Sequence, residues 1–437
     1  MPAAAADHRT PARRRRDVRL TLLNAVFWAL GNGLVSTTLV TYLALELGAR
    51  GVAIAWIAAA PRFAGVLRLA APSILRAAAD RGVGRKAVCL AAFAASVAVL
   101  PLAPAAVWDA PAVSDGRALT GRIVLLVSAW CLYHLLEYVA VVALWSWIGD
   151  LYPPRLRSQL LGRRESCLSV GRLVGVGVSI LLAAAWAGLL PGAPRWAPLA
   201  ASASVGAALM ALSLVPLALT TAMASRPSAA PQSPWRSLRR ALAESGYRRL
   251  IVFNCWLSAA NGLTGAAQGM YPFRVLGMQY EQLQSLRAAM WGGQAALAPV
   301  AGNWIARFGP RRVITTAQLL VACGPLCFLL AAPGSSWWIA VAFALWVAYA
   351  PINIGLDTLK LGLGDPKNNA PYLAVYHALG DLSNGLTMLA GGLLYDLLAA
   401  GDQRALRVYA SLFLAGWLLR LLAVPLAARL AEPSRRG

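Results

Sequence analysis

Ionisable and amide side chains recur at helical spacing inside stretches of this chain that are otherwise apolar. His134 and Glu137 stand three positions apart; Glu165, Ser169 and Arg172 follow at i, i+4 and i+7; Asn353, Asp357 and Lys360 repeat that spacing, as do His377, Asp381 and Asn384. Such spacing puts each set on one face of a helix. Asn254, Asn261 and Gln268 add a stripe about 21 Å long at ~1.5 Å rise per residue, and Asn32, Arg62 and Gln294 are isolated polar residues in apolar surroundings. Carboxylates and imidazoles in such places can take up and release protons, while amides and guanidinium groups can hold a polar solute. The pattern is one of binding rather than catalysis. No nucleophile motif, phosphate-cradling glycine loop or metal-ligand spacing accompanies it, so neither an enzyme nor a cofactor nor a metal is expected. Cys89, Cys131, Cys167, Cys255, Cys323 and Cys327 read as small apolar fillers.

The elements that must position these groups are membrane spans. Over 437 residues the chain is 59% hydrophobic and 13% charged, against about 25% charge in a soluble domain. Twelve apolar stretches are long enough to cross a bilayer: approximately 20–46, 52–77, 86–108, 121–150, 158–188, 195–223, 247–276, 281–307, 311–332, 336–362, 367–399 and 404–430. An ionisable group at the midplane needs a partner or water, so the polar faces should line a hydrated path or the interface between helices. The net charge of +23 does not imply nucleic acid, because Lys and Arg concentrate on alternate connectors: Arg13 to Arg16, Arg81, Arg85 and Lys86, Arg155 and Arg157, Arg236, Arg239 and Arg240. By the positive-inside rule both termini are cytoplasmic. The chain divides into a basic tail (1–19), a six-span bundle (20–223), a linker (224–246), a second bundle (247–430) and a short tail (431–437). Trp235, Leu238 and Leu242 in the linker predict either a helix lying on the inner leaflet or a solvated basic connector.

The halves are related by duplication. At a constant offset of 229 residues, Asn32-Gly33-Leu34 matches Asn261-Gly262-Leu263, Tyr42 matches Tyr271 and Leu47-Gly48 matches Leu276-Gly277. The connector Asp80-Arg81-Gly82-Val83-Gly84-Arg85-Lys86 is answered by Arg307-Phe308-Gly309-Pro310-Arg311-Arg312. Twelve spans in a 6+6 arrangement, with this connector after span 2, resemble the major facilitator superfamily over almost the whole chain. Asp80, Arg81, Gly84, Arg85 and Lys86 match its signature, with one extra residue before Gly84 and Arg76 in place of the leading glycine. In the second copy Gly302, Arg307, Phe308, Gly309, Arg311 and Arg312 match, whereas the acid has become Ala306 and Pro310 interrupts the basic pair.

The resemblance implies an all-α fold of two pseudo-symmetric six-helix bundles. It also implies a secondary transporter working by alternating access, with Asp80 as a cytoplasmic latch near the start of span 11, expected around Asn368. The expected partners are a small organic solute, protons and the lipid bilayer of a cytoplasmic membrane, with the protein a monomer. An alternative is a non-transporting receptor or assembly factor on the same fold. Two ion pairs are expected from depth: Glu137 with Arg172, either a packing pair or a proton or substrate site, and Arg62 with Asp381 across the halves. Asp357 with Lys360 reads either as a solvated helix end or as part of the pathway. Asn32 and Asn261 read either as solute-binding or as helix-packing groups.

Overall fold

The computed structural model describes residues 10–108, 116–151, 157–190, 192–222, 234–363, 370–399 and 401–432. The described residues form twelve helical passes, six in each half. In the first half, span 1 comprises helices Pro11–Leu34 and Thr37–Glu46, span 2 Gly51–Val66 and Ala71–Asp80, and span 3 Arg85–Val99 and Leu102–Val107. Span 4 is Gly116–Leu151, span 5 Arg157–Leu189, and span 6 Trp196–Leu212 with Leu214–Leu219. In the second half, span 7 is Ser245–Arg274, span 8 Tyr280–Phe308, span 9 Pro310–Ala322 with Gly324–Leu330, and span 10 Trp337–Leu345 with Tyr349–Leu363. Span 11 is Ala370–Leu398 and span 12 Asp402–Ala428.

Proline chemistry accounts for most of the breaks. Pro72, Pro101, Pro216, Pro325 and Pro351 each lie at or shortly after an interruption, where the missing N–H and the ring disturb the backbone ladder. Spans 2 and 10 pass through a short 3-10 turn, Leu67–Leu69 and Trp346–Ala348. Nine passes are long and apolar enough to cross a membrane by themselves. Spans 2, 8 and 11 fall short of that measure. They carry Arg62, Arg287 and Asp381, and each meets the opposite half.

Helix 1 begins at Pro11, with Thr10 as its N-cap, so the Arg13 to Arg16 run belongs to the helix rather than to an extended tail. Asp17 is buried and accepts from the backbone N and Oγ1 of Thr221, tying this extension to the end of span 6. Within the linker the described residues form helix Pro234–Ala243, at the helical spacing of Trp235, Leu238 and Leu242. Leu238 and Leu242 pack against the second half, on spans 7 and 11, while Trp235, Arg236 and Arg239 remain exposed. The Leu238 and Leu242 side is covered by protein, and next to it Glu244 accepts from the Tyr372 hydroxyl of span 11 and Arg240 lies over the Tyr372 ring.

The halves touch along spans 2 and 11, 5 and 8, and 1 with 7 and 8. Close approach at the first seam requires Gly392, where an added Cβ would lie 2.6 Å from the Gly51 carbonyl. Most described hydrogen bonds between the halves gather at the end remote from both termini. Tyr42 Oη donates to the carbonyls of Met278 and Gln279, Arg274 Nη2 to those of Gly48 and Ala49, Val52 N to Asp396 Oδ2 at 2.8 Å, and Ser179 Oγ pairs with Tyr280 Oη at 2.8 Å. That end is closed.

Candidate solute cleft

Below the closed end, on the side of the termini, a polar cleft of about 430 Å³ opens between spans 2, 7, 10 and 11. Its volume falls within the range of small-molecule sites. Arg62 is the contribution of the first half; the second supplies Asn254, Ser258, Asn353, Asp357, Lys360, Tyr376, His377 and Asp381. Arg62 Nη1 and Asp381 Oδ1 are 3.3 Å apart, the pairing across the halves anticipated from depth. The guanidinium is half exposed and the carboxylate mostly covered, which suits a contact that can open. Lys360 is 8% exposed. Its Nζ sits 2.5 Å from Asp357 Oδ1 and 5.0 Å from the centre of the Tyr376 ring. The ammonium is buried against a ring, while its carboxylate is 64% exposed at the cleft.

The span 7 amides are shared between scaffold and cleft. Asn254 Nδ2 donates to the Tyr376 carbonyl, and Asn384 Nδ2 to that of Ser258. These bonds hold spans 7 and 11 together and fix the cleft wall.

In the first half, Glu137 does not pair with Arg172. Its partner is His134, with Nδ1 3.1 Å from Oε2. Residues three apart on one helix meet without any tertiary rearrangement, whereas Arg172 on span 5 is exposed and, among the described residues, forms no ion pair. His134 packs edge-on to Trp130 at 4.4 Å, Tyr133 stacks on Trp130, and Trp130 Nε1 donates to the Ile57 carbonyl of span 2. The Glu165 side chain lies outside the described residues.

Asn32 Nδ2 donates to Tyr133 Oη at 3.3 Å, and Tyr349 Oη donates to Asn261 Oδ1 at 2.9 Å. These are equivalent bonds in the two halves, span 1 to span 4 and span 7 to span 10. Each tyrosine follows a tryptophan by three positions, Trp130 to Tyr133 and Trp346 to Tyr349. This repeated Trp-x-x-Tyr at an offset of 216 residues was the overlooked signal for both tyrosines. Gln294 Nε2 donates to the Trp346 carbonyl and so joins spans 8 and 10. Gln268 is half-buried, with Nε2 sequestered and, among the described residues, unbonded.

Asp80 is exposed at the end of its helix, and the helix packs on its own half. No bond from Asp80 to span 11 occurs among the described residues; Asn368 and the Arg76 side chain lie outside them. Arg81 Nη1 bonds the Ala77 carbonyl one turn back. Arg85 Nη1 reaches the Ser146 carbonyl of span 4, and Lys86 Nζ the Ala218 and Thr220 carbonyls of span 6. Cations thus satisfy carbonyls at helix C-termini, where the dipole favours them. The positive φ of the first turn falls on Gly82 (+73°), while Gly84 is an extended N-cap. In the second copy Gly309 (φ +84°) makes the turn. Arg311 lies 3.9 Å from Glu432, Arg307 covers the Phe308 ring, Arg312 lines an apolar groove, and Gly302 faces open space. Among the described residues no group of three or more His, Cys, Asp or Glu converges as metal ligands do.

No protein-family profile matches the chain, and no curated protein matches it in sequence. Solved structures do. The nucleoside transporter NupG aligns at TM-score 0.63 and 14% identity over 95% of this chain and 98% of that one. A D-xylose–proton symporter aligns at 0.65 and 14% over 96% and 98%. A bacterial homologue of the human lysosomal transporter Spinster, in an inward-facing and unoccupied conformation, aligns at 0.65 and 14% over 96% and 97%. The chain has the major facilitator fold. It is an integral membrane protein, and the polar cleft occupies the space between the two bundles of that fold, walled chiefly by the second.

Proposed function

We propose that this chain is a secondary active transporter that carries a small organic solute by alternating access, coupled to protons. The observation that carries the reading is the cleft of about 430 Å³, open on one side, closed on the other by bonds between the halves, and crossed by the Arg62–Asp381 pair. A pair of carrier halves can rock about such a site. With the termini cytoplasmic, as the distribution of basic residues indicates, the cleft faces inward and the bonds of Tyr42, Arg274, Val52 and Ser179 form the outer gate. Asp381 and Glu137 are the proton-carrying candidates, since each is a carboxylate whose partner and hydration can change between states. The proton symporter and nucleoside transporter with this fold are consistent with that assignment.

A direct test places cysteines at Val52→Cys and Asp396→Cys, outside the cleft, in proteoliposomes loaded with a solute panel. Oxidation should stop uptake and reduction should restore it. Uptake that continues with the outer gate cross-linked would sink alternating access, and absence of any flux from wild type would favour a receptor. Proton coupling fails if both Glu137→Gln and Asp381→Asn preserve the pH dependence of uptake.

A further inference from the structure

Arg287 differs from the charges of the cleft. It stands on span 8, seven residues in from Tyr280, and its Nη1 donates across the seam to Thr38 Oγ1 of span 1 at 2.8 Å. Its Nε is sequestered with no hydrogen-bond partner among the described residues. Among the described residues no carboxylate reaches it within ion-pair distance, and the titratable groups closest to it electrostatically are the phenols Tyr42 and Tyr280. Two other interior cations are matched, Arg62 by Asp381 and Lys360 by Asp357, whereas Arg420, 2% exposed, bonds Thr264 and lies over Trp346 within the second half, away from the seam. Arg172, within electrostatic range of Tyr133, is a further guanidinium without an ion pair among the described residues.

A strut across the seam does not require this charge. One turn earlier Gln284, a neutral amide, makes the same kind of bridge, Nε2 to Ser36 Oγ at 3.2 Å. An ionised group held in a membrane interior without a counter-charge is expensive, and such residues mark substrate or ion pathways. A polar line leads to it. Asn254, Ser258, Asn261 and Gln268 climb span 7 from the cleft, and Gln268, six residues before Arg274, reaches a depth comparable with Arg287 on the antiparallel neighbour. Gln268 Nε2 is another buried donor without a partner among the described residues.

We infer that the solute is anionic, a small carboxylate or phosphate ester, and that Arg287 and Thr38 form the inner end of its site where the halves meet. The inference rests on the transport reading and specifies its substrate class. The anion would supply the counter-charge that the protein withholds, and because it binds groups from both halves, its arrival and departure would be felt at the seam. Bidentate geometry suits guanidinium to either anion.

The test uses purified protein in detergent and charge-matched probes: succinate, succinamide and 1,4-diaminobutane; glucose 6-phosphate, glucose and glucosamine. The anionic member of one series should raise the melting temperature while its neutral and cationic analogues do not. Arg287→Ala should weaken that binding about 30-fold or more, and Arg287→Lys should recover part of it. If Arg287→Ala does not fold, Thr38→Val, which keeps the charge and removes its anchor, should still weaken binding severalfold. Stabilisation by a neutral or cationic probe that Arg287→Ala leaves intact overturns the anion inference and leaves transport standing; silence from every probe overturns the inference as well. Anion binding that follows Arg287 without flux in proteoliposomes upholds the site and overturns the transport reading.

Discussion

In each half an asparagine on the first span meets a tyrosine on the fourth, Asn32 with Tyr133 and Asn261 with Tyr349, and each tyrosine lies one turn after a tryptophan. Around this shared frame the halves diverge. The first places beside it a local His134–Glu137 pair on a single helix. The second gathers Asp357, Lys360, His377 and Asp381 around the cleft and buries Arg420 to 2% exposure, bonded to Thr264 and lying over Trp346. The repeated pair satisfies polar groups between helices and is useful to any bundle of this shape. The charges are useful only where a solute or the opposite half must be met, and duplication does not preserve them.

If the second half carries the solute chemistry, the largest effect should come from Asp381→Asn, which leaves Arg62 without its partner across the seam. Initial uptake in proteoliposomes should fall by tenfold or more, as expected for a loss of about 1.4 kcal/mol or above. Glu137→Gln, confined to one helix, should reduce uptake less and act mainly on its pH dependence; the reverse ranking would break the comparison. Gly392→Leu presses a side chain into the Gly51 carbonyl of the opposite half and should lower stability by ~1–3 kcal/mol while raising the reactivity of a cysteine at Val52→Cys. Tyr133→Phe and Tyr349→Phe each leave an asparagine short of one partner, at about 1 kcal/mol apiece. Equal shifts in denaturation with unchanged solute affinity support a shared scaffold, whereas an affinity loss in one variant alone would move that tyrosine into the site. The smallest change belongs to Lys86→Ala, which removes a cation from the span 6 carbonyls for ~0.3–1 kcal/mol, read as a melting shift.

The span count was legible because lipid imposes long apolar runs, and the duplicated Asn-Gly-Leu because packing between helices tolerates few alternatives. The Arg62–Asp381 pair could be read from matching depth on two spans that meet in this fold. The Glu137 partner could not. Matching depth pointed to Arg172, whereas the partner is His134, three residues away, and that choice belongs to side-chain direction on one helix. Arg287 was passed over for a related reason: in span 8 it looks like any basic residue near other polar groups, and its isolation appears only when its neighbours prove to be Thr38, Tyr42 and Tyr280. The linker helix was visible as a pattern of Trp235, Leu238 and Leu242, but that protein covers its Leu238 and Leu242 side depends on span 11, more than a hundred residues away.

By itself the sequence determined that this protein lies in a membrane, that it has two related halves, and that polar groups occupy one face of several spans, because hydropathy and helical period are local properties. Only the tertiary structure decided which charges neutralise one another, which remain unmatched, and which end of the molecule is closed. Those outcomes depend on distances of a few ångströms between helices far apart in the chain, and at that range Coulomb energy and hydrogen bonding change faster than any pattern along the sequence can record.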